Sequence, residues 1–322
     1  MEPPPPPPAE GVRLRWDDLP DGVRRAVAAR LGAPVVAAAS QRGGFSPGVA
    51  ARLRTAAGGR VFVKAVGPRP NPSSRALHRR EARITAALPP GVPAPRLLWS
   101  FEREGWVVLG FEDVDGRNPA QPWRGDELDR VLAALAALTA ALTPSPVGAD
   151  VAGRVADSDL VAAGHWRRLR DDEDGVRHRL DPWSRRHLEA LADLDAAAPE
   201  AVAGETLLHL DLRADNLLLT PDRVLVVDWP HARTGAPWLD ALFLAPSVAM
   251  QGGPAPQDLF ARVPAAAVAP PADVSAALAA VAGFFTRLAL LPAPPGLPTL
   301  RAFQDAQGVV AREWLARRTG WH

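Results

Sequence analysis

The sequence predicts an α+β chain of two lobes. The first is built on a five-stranded antiparallel sheet with one key helix; the second is mainly helical and carries a β-hairpin. Three observations predict this. Short apolar runs bounded by turn residues crowd into the first 111 residues, helical periodicity takes over beyond residue 116, and two short apolar runs flank a turn at residues 220–223. A chain of 322 residues with 47% hydrophobic and 23% charged side chains is large enough to bury cores of this kind.

Residues 1–15 are expected to be a disordered tail, because residues 3–8 are all proline and such a run favours an extended helix without internal hydrogen bonds. Residues 16–116 then form the N-terminal lobe and hinge. A short helix fits residues 21–31, and strands fit residues 35–40, 49–55 and 60–66. A Gly-rich segment with Gly43, Gly44, Ser46 and Gly48 separates the first two strands. Ala56-Ala57-Gly58-Gly59, with hairpin-turn chemistry, separates the next two.

Alternation puts Lys64 on the strand face of Phe62 and Val66, either at an edge or pointing into a cleft. It is the single lysine of a chain whose other side-chain cations are arginines, and a compact ammonium does work that a planar guanidinium does not. Over residues 74–88, Leu77, Glu81, Ile84 and Leu88 recur at helical spacing, which sets Glu81 inside an apolar stripe. A carboxylate there needs a cation, either Lys64 or a neighbouring arginine at the helix surface. Strands at residues 96–101 and 106–111 complete the sheet. Residues 112–116, polar and ending in Gly, form the hinge.

Residues 117–322 make the helical lobe. Leu128, Leu132, Leu135, Leu138 and Leu142 mark one helix, stopped by Pro144 and Pro146; further helices fit residues 187–197, 274–291 and 299–318. The segment 274–291 is apolar, but Arg287 lies within it and Leu278, Val281, Phe285 and Leu288 share one face, as in a buried helix of a soluble lobe. The net charge of +1 supplies no bulk attraction to nucleic acid or anionic lipid. The absence of cysteine excludes disulfides, thiolate metal sites and cysteine nucleophiles. The start lacks the basic and apolar regions of a signal peptide, and no obligate protein partner is evident.

The densest chemistry lies in residues 207–229. Two short apolar strands about the turn at residues 220–223 make a hairpin, with Asn216 entering it and Asp228 leaving it. A hairpin brings its ends together, so these two become neighbours, and Asp211 sits on the loop just before. Two hard oxygen ligands with a nearby carboxylate suit magnesium-assisted phosphoryl transfer.

His209, Asp211, Asn216 and Asp228-Trp229 stand in the pattern His-x-Asp-x-x-x-x-Asn, apolar hairpin, Asp-Trp. With Lys64, Glu81, the hinge and the helical lobe in order, residues 35–320 resemble the protein-kinase-like superfamily. The resemblance is closest to the aminoglycoside phosphotransferase family and the choline kinase-like small-molecule kinases. It implies a bilobal kinase-like fold and transfer of phosphate from ATP, with GTP left open, to a hydroxyl of a small molecule in the presence of Mg2+.

Under that resemblance Asp211 accepts or orients the proton of the attacking hydroxyl, and Asn216 and Asp228 hold the metal. Lys64, positioned by Glu81, meets the phosphates, while Gly43, Gly44 and Ser46 belong to the loop that covers them. Phe111 borders adenine, whose edge meets the backbone of Glu112 to Val114. His209 braces the loop, Asp240 supports it, and Arg213 is either a cation for the transferred phosphoryl group or a surface arginine. Pro230 departs from the family pattern beside the metal aspartate.

The acceptor is expected to be a small hydroxylated antibiotic or metabolite. Asp171-Asp172-Glu173-Asp174 could attract a cationic aminoglycoside, but arginines flank it and the C-terminal residues 312–322 are basic, which favours a self-paired charge run. A pseudokinase is the alternative, against which the set Lys64, Glu81, Asp211, Asn216 and Asp228 stands complete. A protein kinase would need a longer segment between Asp228 and Asp240. Dependence on ATP and the lack of a targeting segment imply the cytoplasm.

Overall fold

Strand alternation divides the N-terminal lobe into two apolar layers. The computed structural model describes residues 8–9, 11–41, 43–45, 47–69 and 73–322. Its first sheet contains β1 (Arg13–Leu14), β2 (Val35–Ser40), β3 (Gly48–Thr55), β4 (Arg60–Val66), β5 (Leu97–Arg103) and β6 (Trp106–Phe111). The last five pair antiparallel: β2 and β4 flank β3, β6 lies beside β4, and β5 beyond it. The sixth strand corrects the expected five-stranded sheet. β1 runs parallel to the start of β3, with Arg13 opposite Gly48 and Leu14 opposite Val49.

The tail expected through residue 15 therefore ends earlier. Leu14 and Trp16 alternate with Arg13 and Arg15, and Trp16 buries in the cluster of Leu19, Val23, Val27 and Val49. Residues 1–7 lie outside the described residues.

On β4, Val61, Val63 and Ala65 face the layer covered by α1 (Asp21–Leu31). Phe62 and Val66 face the opposite layer with Val107, Leu109 and Phe111. Lys64 shares that second side, over which α2 (Ser73–Ala87) packs. Two features tie α2 to the other lobe. Ile84 belongs to the C-terminal core, and Arg80 donates to the carbonyls of Val151 at 3.1 Å, Ala232 at 2.6 Å, and Ala152. Glu81, next to Arg80, is thereby held at the junction.

The hinge is equally fixed. Asp113, with a side chain 4% exposed, accepts from Arg52 at 2.6 Å and Arg60 at 2.7 Å. Beyond it, the backbones of Arg117 and Leu219 exchange hydrogen bonds of 3.1 and 2.7 Å.

In the second lobe, α3 (Gly125–Ala141) and its C-cap bury all five leucines of the expected stripe. β7 (Thr206–Leu208) precedes the hairpin of β8 (Leu217–Leu219) and β9 (Val224–Val226), and pairs with β10 (Arg233–Gly235). Helices Leu239–Met250, Pro271–Leu290 and Leu300–Thr319 pack behind them. Pro271–Leu290 is long and apolar enough to cross a membrane, yet 67% of its apolar window is buried inside the protein. Gly283 there abuts Trp166, whose indole donates to the Ala279 carbonyl at 2.8 Å.

Candidate active site

β4, α2 and the β8–β9 hairpin converge between the lobes. Asn216 ends a short 3₁₀ turn, Ala214–Asn216, at the mouth of β8, and its carbonyl accepts from the Val227 amide at 2.9 Å. The closing pair of the hairpin thus sets Asn216 beside Asp228.

Lys64 Nζ donates to Glu81 Oε1 at 2.7 Å, Glu81 Oε2 at 2.9 Å and Asp228 Oδ1 at 2.8 Å. Of the two partners open to Glu81, the structure uses the lysine. The Trp229 backbone amide also favours the charged form of Glu81. Burial pushes Glu81 up to about 7 against the pull of Lys64. Burial works against the Lys64 ammonium as well, but Asp228 and Glu81 outweigh it and hold the lysine above its ordinary value. At Asp228, too, burial is overcome, and Lys64 keeps that carboxyl well below the usual range.

Asp211 lies on the loop between β7 and the 3₁₀ turn. Asn216 Nδ2 donates to its carbonyl at 2.7 Å and to Oδ2 at 3.1 Å, while Arg213 Nη1 donates to Oδ1. Arg213 also grips Asp215 through Nε and Nη2, both at 3.0 Å. Its side chain is 9% exposed, which removes the surface-arginine reading. The rings of Phe45 and Phe303, themselves edge to face, lie 5.4 and 5.5 Å from its guanidinium carbon. Burial pushes the Asp211 carboxyl up, with Arg213 pulling the other way.

His209 is buried between loop and hairpin. Its Nδ1 accepts from the Asp211 amide at 3.2 Å, which leaves Nε2 to donate to the Val227 carbonyl at 3.0 Å. Burial lowers it to about 4, so the ring is neutral near pH 7. Asp240 accepts from the amides of His209 at 2.9 Å and Leu210 at 2.8 Å, anchoring the loop to helix Leu239–Met250. Leu210 and Asp228 take φ of 61° and 71°, a left-handed backbone that side chains of this kind hold only when their surroundings enforce it.

Two cavities adjoin at this point, and Asp228 lines both. The first is bordered by Gly43 and Gly44, whose φ of 90° and 78° suit glycine, and by Lys64, Glu81, Phe111 and Asn216. Glu112 and Val114 of the hinge line it as well; the Glu112 amide already donates to the Arg96 carbonyl at 3.0 Å. The second contains Asp211, Arg213 and the buried Pro230. Ser46 lies outside the described residues.

Two residues at the site escaped sequence reasoning. Arg13 of β1 lines the first cavity and donates to the Gly43 carbonyl. Asn118 lines it too, and clamps the loop that follows Asp211 by donating to the carbonyls of Ala214 at 3.2 Å, Asp215 at 3.3 Å and Leu217 at 2.8 Å. The scarcity of asparagine, three in the chain, was a usable signal for Asn118.

The acidic run lies apart and is paired. Asp171 meets Arg170, Glu173 meets Arg168, Asp174 meets Arg287, and Asp172 accepts from the Arg177 amide.

Residues 42–271 match the phosphotransferase enzyme family. No curated protein matches the chain by sequence. Among solved structures, a thermostable mutant of aminoglycoside phosphotransferase APH(4)-Ia in complex with ADP and hygromycin B superposes with a TM-score of 0.61 at 15% identity, over 92% of this chain and 98% of that one. A choline/ethanolamine kinase family protein from Mesorhizobium loti gives 0.60 at 20% identity, over 92% and 94%. Macrolide 2'-phosphotransferase MphH from Brachybacterium faecium gives 0.56 at 18% identity, over 91% and 98%.

Proposed function

Since the chain belongs to the phosphotransferase enzyme family, and so is a phosphotransferase of small molecules, we propose that it moves the γ-phosphate of ATP to an acceptor hydroxyl with magnesium as its metal. The observation that carries this reading is the sharing of Asp228 between two cavities, one with Lys64 and Asn216, the other with Asp211 and Arg213.

In the first cavity Lys64 meets the phosphates while Glu81 holds it in place. The Gly43–Gly44 turn covers them, Phe111 borders the adenine, and the Glu112 carbonyl and Val114 amide meet its edge. The donor set suits magnesium, which takes one or two protein oxygens and completes its shell with water and phosphate. Asn216 spends its amide nitrogen on Asp211, which leaves Oδ1 as a hard donor, and Asp228 supplies a carboxylate of depressed pKa. Among the described residues no cluster of three His, Cys, Asp or Glu side chains forms a closed metal cage. Magnesium bound there would neutralise charge on the phosphates.

In the second cavity Asp211 orients the acceptor hydroxyl and takes its proton as the oxygen bonds to the γ-phosphorus and the bond to ADP breaks. Its raised pKa moves it toward the range in which a carboxylate makes an effective base at neutral pH. Arg213 faces the charge that develops on the transferred group.

ADP release with Mg-ATP and a panel of hydroxylated acceptors tests the proposal, with wild type beside Asp211→Ala. Acceptor-dependent release that falls by about 100-fold or more in the variant, with ATP binding retained, is the expected result. Release of equal rate in both proteins refutes it.

A further inference from the structure

The second cavity is large, about 440 Å³, which is the size of a site for a drug-sized ligand. Its far wall is apolar and aromatic, with Phe243, Phe284, Phe285, Leu288 and Phe303 on three helices. Set into that wall are two amides one turn apart on helix Leu300–Thr319, Gln304 and Gln307, 7% and 4% exposed. Gln304 Oε1 accepts from Arg301 at 2.8 Å. The Gln307 side chain has no hydrogen-bond partner among the described residues, although it lines the cavity. Its amide is not enclosed by protein, so it is open to a partner that enters from the cavity.

The fixed charges speak against a cation in that place. Two of the cavity's three carboxylates are engaged, Asp228 by Lys64 and Asp211 by Arg213, and the third, Asp159, is exposed at the rim. Arg233 lines the same cavity, makes no close ion pair among the described residues beyond a longer-range pull on Asp157, and repels positive charge. The acidic run that could have drawn a polycation is spent on Arg168, Arg170, Arg287 and the Arg177 amide.

Resting on the kinase reading above, we propose that the acceptor is an uncharged alcohol with a bulky apolar body. The body packs on the phenylalanine wall, a carbonyl or hydroxyl pairs with Gln307, and the hydroxyl to be phosphorylated reaches Asp211. Polycationic amino sugars are poor acceptors for the same reason.

The test uses the full chain with Mg-ATP and two probe classes: an uncharged steroid diol and neutral macrocyclic lactones on one side, kanamycin-type polycations on the other. ADP release and phosphorylated product are measured for wild type, Asp211→Ala and Gln307→Leu, with thermal unfolding of each protein alone. The expected result is transfer to an uncharged alcohol that depends on Asp211, with kcat/KM at least tenfold above that for any polycation. Gln307→Leu then raises acceptor KM at least tenfold while its Tm is not lowered, because the Gln307 amide makes no hydrogen bond within the described residues. Preferred transfer to a polycation, or a Tm lowered in Gln307→Leu, overturns the proposal and leaves the kinase reading standing. ADP release that is independent of Asp211 with both classes overturns the two together.

Discussion

Glu81→Gln separates what the buried lysine does for activity from what its carboxylate partner does for stability. In the wild type Lys64 Nζ is held by both Glu81 oxygens, at 2.7 and 2.9 Å, and by Asp228 at 2.8 Å. Glutamine keeps one acceptor and turns an amide N–H toward the ammonium. At least one charge-assisted hydrogen bond is lost, about 1.5–3 kcal/mol. Lys64 then rests on Asp228, the carboxylate proposed above to hold the metal. At about 1.36 kcal/mol per factor of ten, kcat/KM for ATP falls roughly 10- to 100-fold.

Folding stability moves the other way. Burial raises Glu81 from 4.5 to about 7, which weighs on the order of 3 kcal/mol against its charged form. A carboxyl raised in this way binds more protons in the folded chain than in the unfolded one. Its contribution is present below pH 4.5, falls as pH climbs through the window to about 7, and is lost above it. Glutamine has no such slope. Steady-state ADP release at pH 8 with ATP varied, and thermal unfolding at pH 5 and pH 8, give both quantities. The lead of wild type over variant in Tm should shrink or reverse between the two pH values while activity stays depressed. An unchanged kcat/KM, or a variant that loses Tm at pH 8 in step with its activity, refutes the reasoning.

Lys64→Arg should lower kcat/KM by about tenfold or more despite keeping the charge, because a planar fork does not reproduce one nitrogen bridging Glu81 and Asp228; steady-state kinetics with ATP varied is the check. Asp240→Asn turns an amide N–H against the backbone N–H of His209 or Leu210. A stability loss of about 1–3 kcal/mol and a lower kcat, with ATP binding kept, should appear in denaturant unfolding and kinetics. Asp174→Ala leaves Arg287, 7% exposed, without its carboxylate. Unfolding midpoints should record a loss of about 3–5 kcal/mol, with turnover per folded molecule unchanged.

The parts legible in the sequence are those whose evidence is local. Alternation in β4 put Lys64 opposite the face of Val63, and helical spacing put Glu81 in a stripe that required a cation. Asp211, Asn216 and Asp228 fall within one loop and hairpin, so proximity along the chain became proximity in space. β1 was missed because two residues give no period, and its partner Gly48 lies beyond a helix and another strand. Arg13 went with it. Asn118 clamps carbonyls of a loop about a hundred residues along the chain, a relation that only the folded second lobe creates.

The second cavity shows why its lining is harder to read in a sequence than the loop and hairpin of Asp211, Asn216 and Asp228. Phe285 and Leu288 belong to the apolar face of helix Pro271–Leu290, and periodicity assigned that whole face to the core. The structure divides it: Leu278 and Val281 are covered by protein, whereas Phe285 and Leu288 also border the cavity. An apolar stripe has the same spacing whether protein or ligand covers it. The distinction lies in the polar residues embedded in such a wall, because an unpartnered buried amide is unfavourable in a protein-only core and useful beside a ligand. Gln307, among Phe303, Gln304 and Ala311, carries that signal, and it becomes readable once the cavity that holds Asp211 is seen to reach it.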